Sequence, residues 1–183
     1  MIAYIVCEGS SDVELLQRIL PKELLNGVEI VAAGGLSAIK SLSRSLLVRR
    51  QAPVAIVADA DSIAPDVVQE RLSSIEELVK SVAIDTPVKV ILAVPSIEII
   101  FFQDKHLLSR LLGYKPSQEI LNLAVSQPHS VLKQLLAQSN GKYHQSHLLA
   151  QLTNDDMQIL RNHPVIQEII QFLQSVQQAA MVV

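Results

Sequence analysis

The chain has 183 residues, 49% apolar and 18% charged, which suits one domain with a full core, or one domain with an extension. Its formal charge of −3, its lack of tryptophan and its 3% aromatic content exclude a strongly basic nucleic-acid sheath and an aromatic platform for stacking single strands. The single cysteine, Cys7, excludes an internal disulfide and reads as a small core residue in a reducing, cytoplasmic setting.

The first strand is predicted over Ile2 to Cys7, and it ends abruptly in Glu8-Gly9-Ser10-Ser11-Asp12. Ser11 and Glu14 have the spacing of a capping box, so a helix is expected from Asp12 to Leu20, with Pro21 at its stop. Glu8 then sits at the carboxyl end of a buried strand, where open α/β sheets bind ligands. The same interruption argues against a signal peptide, and Lys89, Pro95 and Glu98 argue against a membrane span in the most apolar later stretch.

A second strand is predicted over Val28 to Ala32. Gly34-Gly35 leads into a helix from about Ser37 to Val48, whose Lys40, Arg44, Arg49 and Arg50 read as a solvated face and a cationic C-terminus. The third strand, Val54 to Val57, runs into Asp59-Ala60-Asp61, and a helix is expected from about Asp66 to Val82. The fourth strand, Val88 to Val94, ends at Pro95-Ser96, where Ser96 can cap a helix carrying Glu98. Beyond Gly113 only helix starts appear, at Pro116-Ser117, Pro128, Thr153 and Pro164. The last segment places Val165, Ile166, Ile169, Ile170, Leu173 and Val176 on one apolar face. The expectation is a four-stranded, mostly parallel α/β sheet over residues 1–112, with a helical extension over 113–183 packed on it.

Right-handed crossovers put the loops after all four strands on one sheet edge. With strands one and three adjacent, in the order 2-1-3-4, Glu8, Asp12, Asp59, Asp61 and Glu98 converge there. Five crowded carboxylates repel, and a hard divalent cation, Mg²⁺ or Mn²⁺, is the natural counter-charge. These five outweigh the net charge, leaving the rest of the chain at +2, so a polyanionic partner is not excluded. Each residue also has a plain structural reading. Asp12 suits a helix N-terminus, Asp59 and Asp61 suit a turn, and Glu98 can cap its own helix. His144 and His147 lack a nearby cysteine or third histidine, which argues against zinc.

Val6-Cys7-Glu8-Gly9-Ser10-Ser11-Asp12, Gly34-Gly35 and Ile56-Val57-Ala58-Asp59-Ala60-Asp61 together resemble the Toprim domain of topoisomerases, DnaG-type primases and several nucleases. The resemblance covers roughly the first hundred residues. An Asp-x-Asp-x-Asp extension is absent, since Ile63 stands in the third place. The Glu8 to Asp12 spacing is more similar to OLD-family nucleases, whose pattern adds a later acid and a downstream lysine, positions that Glu98 and Lys142 can fill. The resemblance implies a metal-dependent nuclease on DNA or RNA, with Glu8 and Lys142 catalytic and the five acids as metal ligands. OLD proteins join this domain to an ATPase. This sequence contains no Gly-x-x-x-x-Gly-Lys-Ser/Thr, so a separate ATPase or other protein partner, or a homodimer, is implied instead. Two other readings stay open: a non-catalytic regulatory module that binds metal or nucleic acid, and a receiver-type phosphoacceptor domain with Ser96 after strand four. The receiver reading needs a lysine after a fifth strand.

Overall fold

The computed structural model describes residues 3–140 and 145–181. Four strands, β1 (Ala3–Cys7), β2 (Val28–Ala32), β3 (Val54–Asp59) and β4 (Val88–Ala93), form one parallel sheet in the order β2-β1-β3-β4. β1 lies centrally because it is buried on both faces along its whole length, as are Val54 to Ala58 of β3. Alternate side chains separate two cores. Ala3, Ile5, Cys7, Ala55, Val57, Ile91 and Ala93 face one way, and Tyr4, Val6, Val54, Ile56, Ala58 and Val90 face the other.

Helix α1 (Ser10–Ile19) follows β1, α2 (Leu36–Ser45) follows β2, and α3 (Pro65–Lys80) follows β3. Ile39 of α2 and Ile75 and Val79 of α3 cover the second face. α1 covers the first, with Leu15, Leu16 and Ile19 turned inward. α2 runs into a π-helical turn, Leu46–Arg50, whose Arg49 and Arg50 are exposed as read from the sequence. A 3-10 turn, Ile97–Phe102, follows β4.

The rest of the described chain is helical: α4 (Lys105–Leu112), α5 (Gln118–Ala124), α6 (Pro128–Asn140), α7 (Gln145–Ala150), α8 (Asn154–Arg161) and α9 (Pro164–Met181). Among the described residues no strand follows β4. The described residues therefore do not supply the fifth strand a receiver domain needs before its lysine. These helices extend the first core: Leu108, Leu132, Leu148, Leu160, Ile166 and Leu173 share one apolar cluster with Ile5 and Leu15. Arg18 of α1 donates from Nε to the Leu149 carbonyl and from Nη2 to the Leu152 carbonyl, at 3.1 and 2.7 Å, fastening α1 to the end of α7. None of the described helices is long and apolar enough to cross a membrane.

Three local expectations need correction. The first helix starts at Ser10 rather than Asp12, with Gly9 as its N-cap. Asp12 closes the turn by accepting from the Gly9 N–H at 2.9 Å, while Glu14 accepts from the Ser146 hydroxyl at 2.7 Å. β3 continues two residues further than expected, so Asp59 is its last residue and not part of the loop. Ser96 makes no side-chain cap; the N–H of Ile97 goes to Asp59 Oδ1 instead. α4 has no counterpart in the sequence reading, although Asp104 marks its start by accepting from the N–H groups of His106 and Leu107.

Candidate functional site

The carboxyl edge of the sheet gathers acids because strand ends fix them there. Glu8 follows β1 directly and Asp59 ends β3, the neighbouring strand. Glu8 Oε1 accepts from the Asp59 N–H at 3.0 Å, so one carboxylate is tied to the backbone that carries another. Asp59 Oδ1 in turn accepts from the Ile97 N–H at 2.9 Å, linking β3 to the turn that bears Glu98. Gly34 and Gly35, at φ +92° and +116°, end β2 beside them, and the Gly34 N–H donates to the Glu8 carbonyl at 2.9 Å. No side chain crowds either glycine, so backbone conformation and not space requires them.

The electrostatics show strain that structure alone does not relieve. Burial first, then the charges of Glu98, Asp12 and Glu8, push the Asp59 carboxyl up to about 8 against the opposing Ile97 hydrogen bond. Glu8 is raised by burial and by Asp61 and Asp12, opposed by the Asp59 N–H and by Arg71. Asp12 is raised by burial and by Glu98, opposed by the Gly9 N–H, His129 and Ser11. Glu8, Asp12, Asp59 and Glu98 are therefore brought together closely enough to repel one another.

Asp61 stands apart. It is exposed, adopts φ +54°, and lies 2.6 Å from Nη1 of Arg71, which also donates to the Asp59 carbonyl at 2.7 Å. Glu98 is only 4% exposed, yet both its oxygens have partners: the Ser96 hydroxyl at 2.6 Å and His129 Nδ1 at 2.7 Å. Lys142 lies outside the described residues, as does His144. His147, on α7, is exposed.

Sequence reasoning missed three basic residues here: Arg71, His129 and Lys133. Arg71 sits four residues before Ile75 and eight before Val79, on the inward stripe of α3, where an arginine calls for a partner. His129 and Lys133 are one turn apart on α6 and both line a cleft of about 350 Å³, with Ser10, Ser11, Glu14 and Glu98 opposite. Their spacing was available in the sequence, but nothing local told which helix would meet the sheet edge.

The donor set has the chemistry of a hard-cation site: oxygen ligands only, with raised carboxyls that a divalent charge would return to the ionised form. It is not a closed cage. Among the described residues no three His, Cys, Asp or Glu side chains stand close enough to hold an ion as placed. The reason is visible in the hydrogen bonds, which turn one oxygen each of Glu8, Asp12 and Asp59 toward backbone N–H groups.

No family model and no curated protein sequence matches the chain. Among solved structures it is similar to the C-terminal region of the OLD protein of Xanthomonas campestris pv. campestris, phased with iodine, with a TM-score of 0.56 at 15% identity over 99% of this chain and 98% of that one. A second structure of that region, phased with mercury, gives 0.53 at 16% identity over 98% and 97%. At these identities the likeness is one of fold: the four-stranded parallel sheet and its flanking helices have the architecture of the OLD C-terminal region, end to end.

Proposed function

We propose that the chain is a Toprim-like, OLD-like nuclease domain that cleaves phosphodiester bonds of DNA or RNA with Mg²⁺ or Mn²⁺. The observation that carries this reading is Asp59, a carboxyl raised to about 8 by burial among three other acids at a strand end. Clustered acids of this kind at the ligand-binding edge of a parallel sheet suit phosphoryl chemistry. Glu8, Asp12 and Asp59 would hold the ion, with Glu98 beside them and Asp61 released from Arg71. A divalent ion bound there supplies Lewis acidity to a water and to a phosphate oxygen. Glu8, fixed at the end of β1, would also take the proton of the attacking water. Arg71 keeps Asp61 and the Asp59 backbone in register. The likeness in fold to the OLD C-terminal region, over 98% of that chain, supports the same reading.

The test is nicking of supercoiled plasmid, with a structured RNA in parallel, in Mg²⁺, in Mn²⁺ and in chelator. Metal-dependent cleavage of either substrate supports the reading. A specific observation favours a second one: among the described residues no three acids close on a single point. A regulatory module that binds metal or nucleic acid, and acts through a separate ATPase or another protein, needs no such closure. Metal binding without cleavage would select it.

A further inference from the structure

A strand that delivers a phosphate to four acids needs positive charge close to them, or it is repelled before it arrives. The described residues offer that charge on α6. Lys133 and His129 lie one turn apart and line the cleft of about 350 Å³ that opens between α6 and the start of α1. Glu98, at the cleft's inner end, is buried and bound to Ser96, and it accepts His129 Nδ1–H at 2.7 Å. His129 is thus held by one ring nitrogen, while its side chain stays largely exposed. Lys133 makes no ion pair with any described residue and is exposed, unlike Arg71 and Arg110, which are occupied by Asp61 and Asp156. Glu14, the other acid of the cleft, is engaged by the Ser146 hydroxyl. Between the two basic side chains and the first core, Leu132 and Leu136 give the cleft an apolar floor.

From this arrangement we infer that the α1–α6 cleft is a nucleotide subsite for a single strand, in which Lys133 binds the backbone phosphate next to the one at the acids and His129 lines the approach. The inference rests on the nuclease reading and adds the contact that would orient its substrate. The apolar floor suits a sugar, and Ser10 and Ser11 line the cleft with hydroxyls that could donate to a phosphate without adding charge. A cleft of about 350 Å³ is on the scale of a single small ligand such as one nucleotide, which suits one strand.

The test is fluorescence anisotropy of the full chain with a labelled 12-nucleotide single strand, with Ca²⁺ in place of Mg²⁺ so that binding is read without turnover. Lys133→Ala is expected to weaken binding about tenfold and to lower the slope of log Kd against log salt by about 0.7. Lys133→Glu should weaken it further, and Lys133→Arg should restore it. Lys115→Ala, at a separate cleft lined by Lys105 and Lys115, should change little. Wild-type binding with an unchanged Lys133→Ala affinity and salt slope overturns the subsite and leaves the nuclease reading standing. A wild type that cleaves plasmid but binds duplex tenfold more tightly than the single strand overturns the single-strand assignment. A wild type that neither binds nor cleaves any strand overturns both.

Discussion

Asp59 and Asp156 are both aspartates taken largely out of water, and they have opposite fates. At the start of α8, Asp156 is 6% exposed and accepts from the Thr153 N–H at 2.7 Å, while its own N–H goes to the Thr153 hydroxyl and Arg110 forms an ion pair with it. Burial raises its carboxyl, but these donors outweigh that, and the net shift is downward. At the end of β3, Asp59 has one backbone donor, three acidic neighbours and, among the described residues, no cationic side chain paired with its carboxylate, and it is pushed up to about 8. The chain completes the first aspartate by itself. The described residues leave the second incomplete, and under the proposed function that difference separates a structural acid from a metal-binding one.

The largest effect that would sharpen this contrast is catalytic. Glu8→Gln keeps the shape and the Asp59 N–H contact but removes the charge, and is expected to lower metal-dependent plasmid nicking by at least about a hundredfold. Circular dichroism and melting should show an intact fold. Asp156→Asn should leave cleavage and the response to metal unchanged.

Stability reverses the order. Asp156→Asn should lose about 2 kcal/mol in urea titrations, because it removes an ion pair and weakens a capping box. Asp59→Asn should cost little at neutral pH without metal, since the carboxyl it replaces is already held largely neutral. A loss at Asp59 as large as at Asp156 would erase the distinction.

The two sites also bend the pH dependence in opposite senses. Asp59 is raised in the folded state, so folding takes up a proton, and its contribution is fully present below about 4 and is lost as pH rises toward 8. Asp156 is lowered, so its contribution is present above the ordinary aspartate range and is lost as pH falls below it. Metal-free wild type should therefore lose stability between pH 5 and 8.5, as read by melting temperature. Asp59→Asn should flatten that slope, and Mg²⁺ should too, because the ion replaces the proton. The smallest effect is at the rim. Arg71→Gln breaks a pair whose carboxylate is 62% exposed, and should change stability by less than about 1 kcal/mol. A clearly larger loss would mean that Arg71 belongs with the buried acids.

Much of the sheet was legible because strands buried on both faces announce themselves as short apolar runs closed by turns. The order 2-1-3-4 followed from asking which neighbours bring Glu8 to Asp59, and the structure has that order. Ends were harder to read. The sequence pattern ends the third strand at Val57, yet the ladder pairs Asp59 with Ala93 and keeps it in β3. Ser11 and Glu14 looked like a capping box, but Gly9 and Asp12 are nearer the turn and Glu14 reaches α7 instead. The acids could be named from the sequence because each lies at a strand end or in the turn or helix start that directly follows one. Arg71 and His129 could not, because their partners are 10 or more residues away, nor could Lys133, because only packing decides which helix face meets the edge.

The central claim is that the edge acids wait for a divalent cation, and proton release tests it most directly. Mn²⁺ binding is followed by calorimetry at pH 7 in two buffers of different ionisation enthalpy. With Asp59 raised to about 8, wild type should release roughly one proton per ion bound, and Asp59→Asn should release far less and bind more weakly. Asp156→Asn should match wild type. Mn²⁺ binding with no proton release, or with the same release in Asp59→Asn as in wild type, would contradict the account.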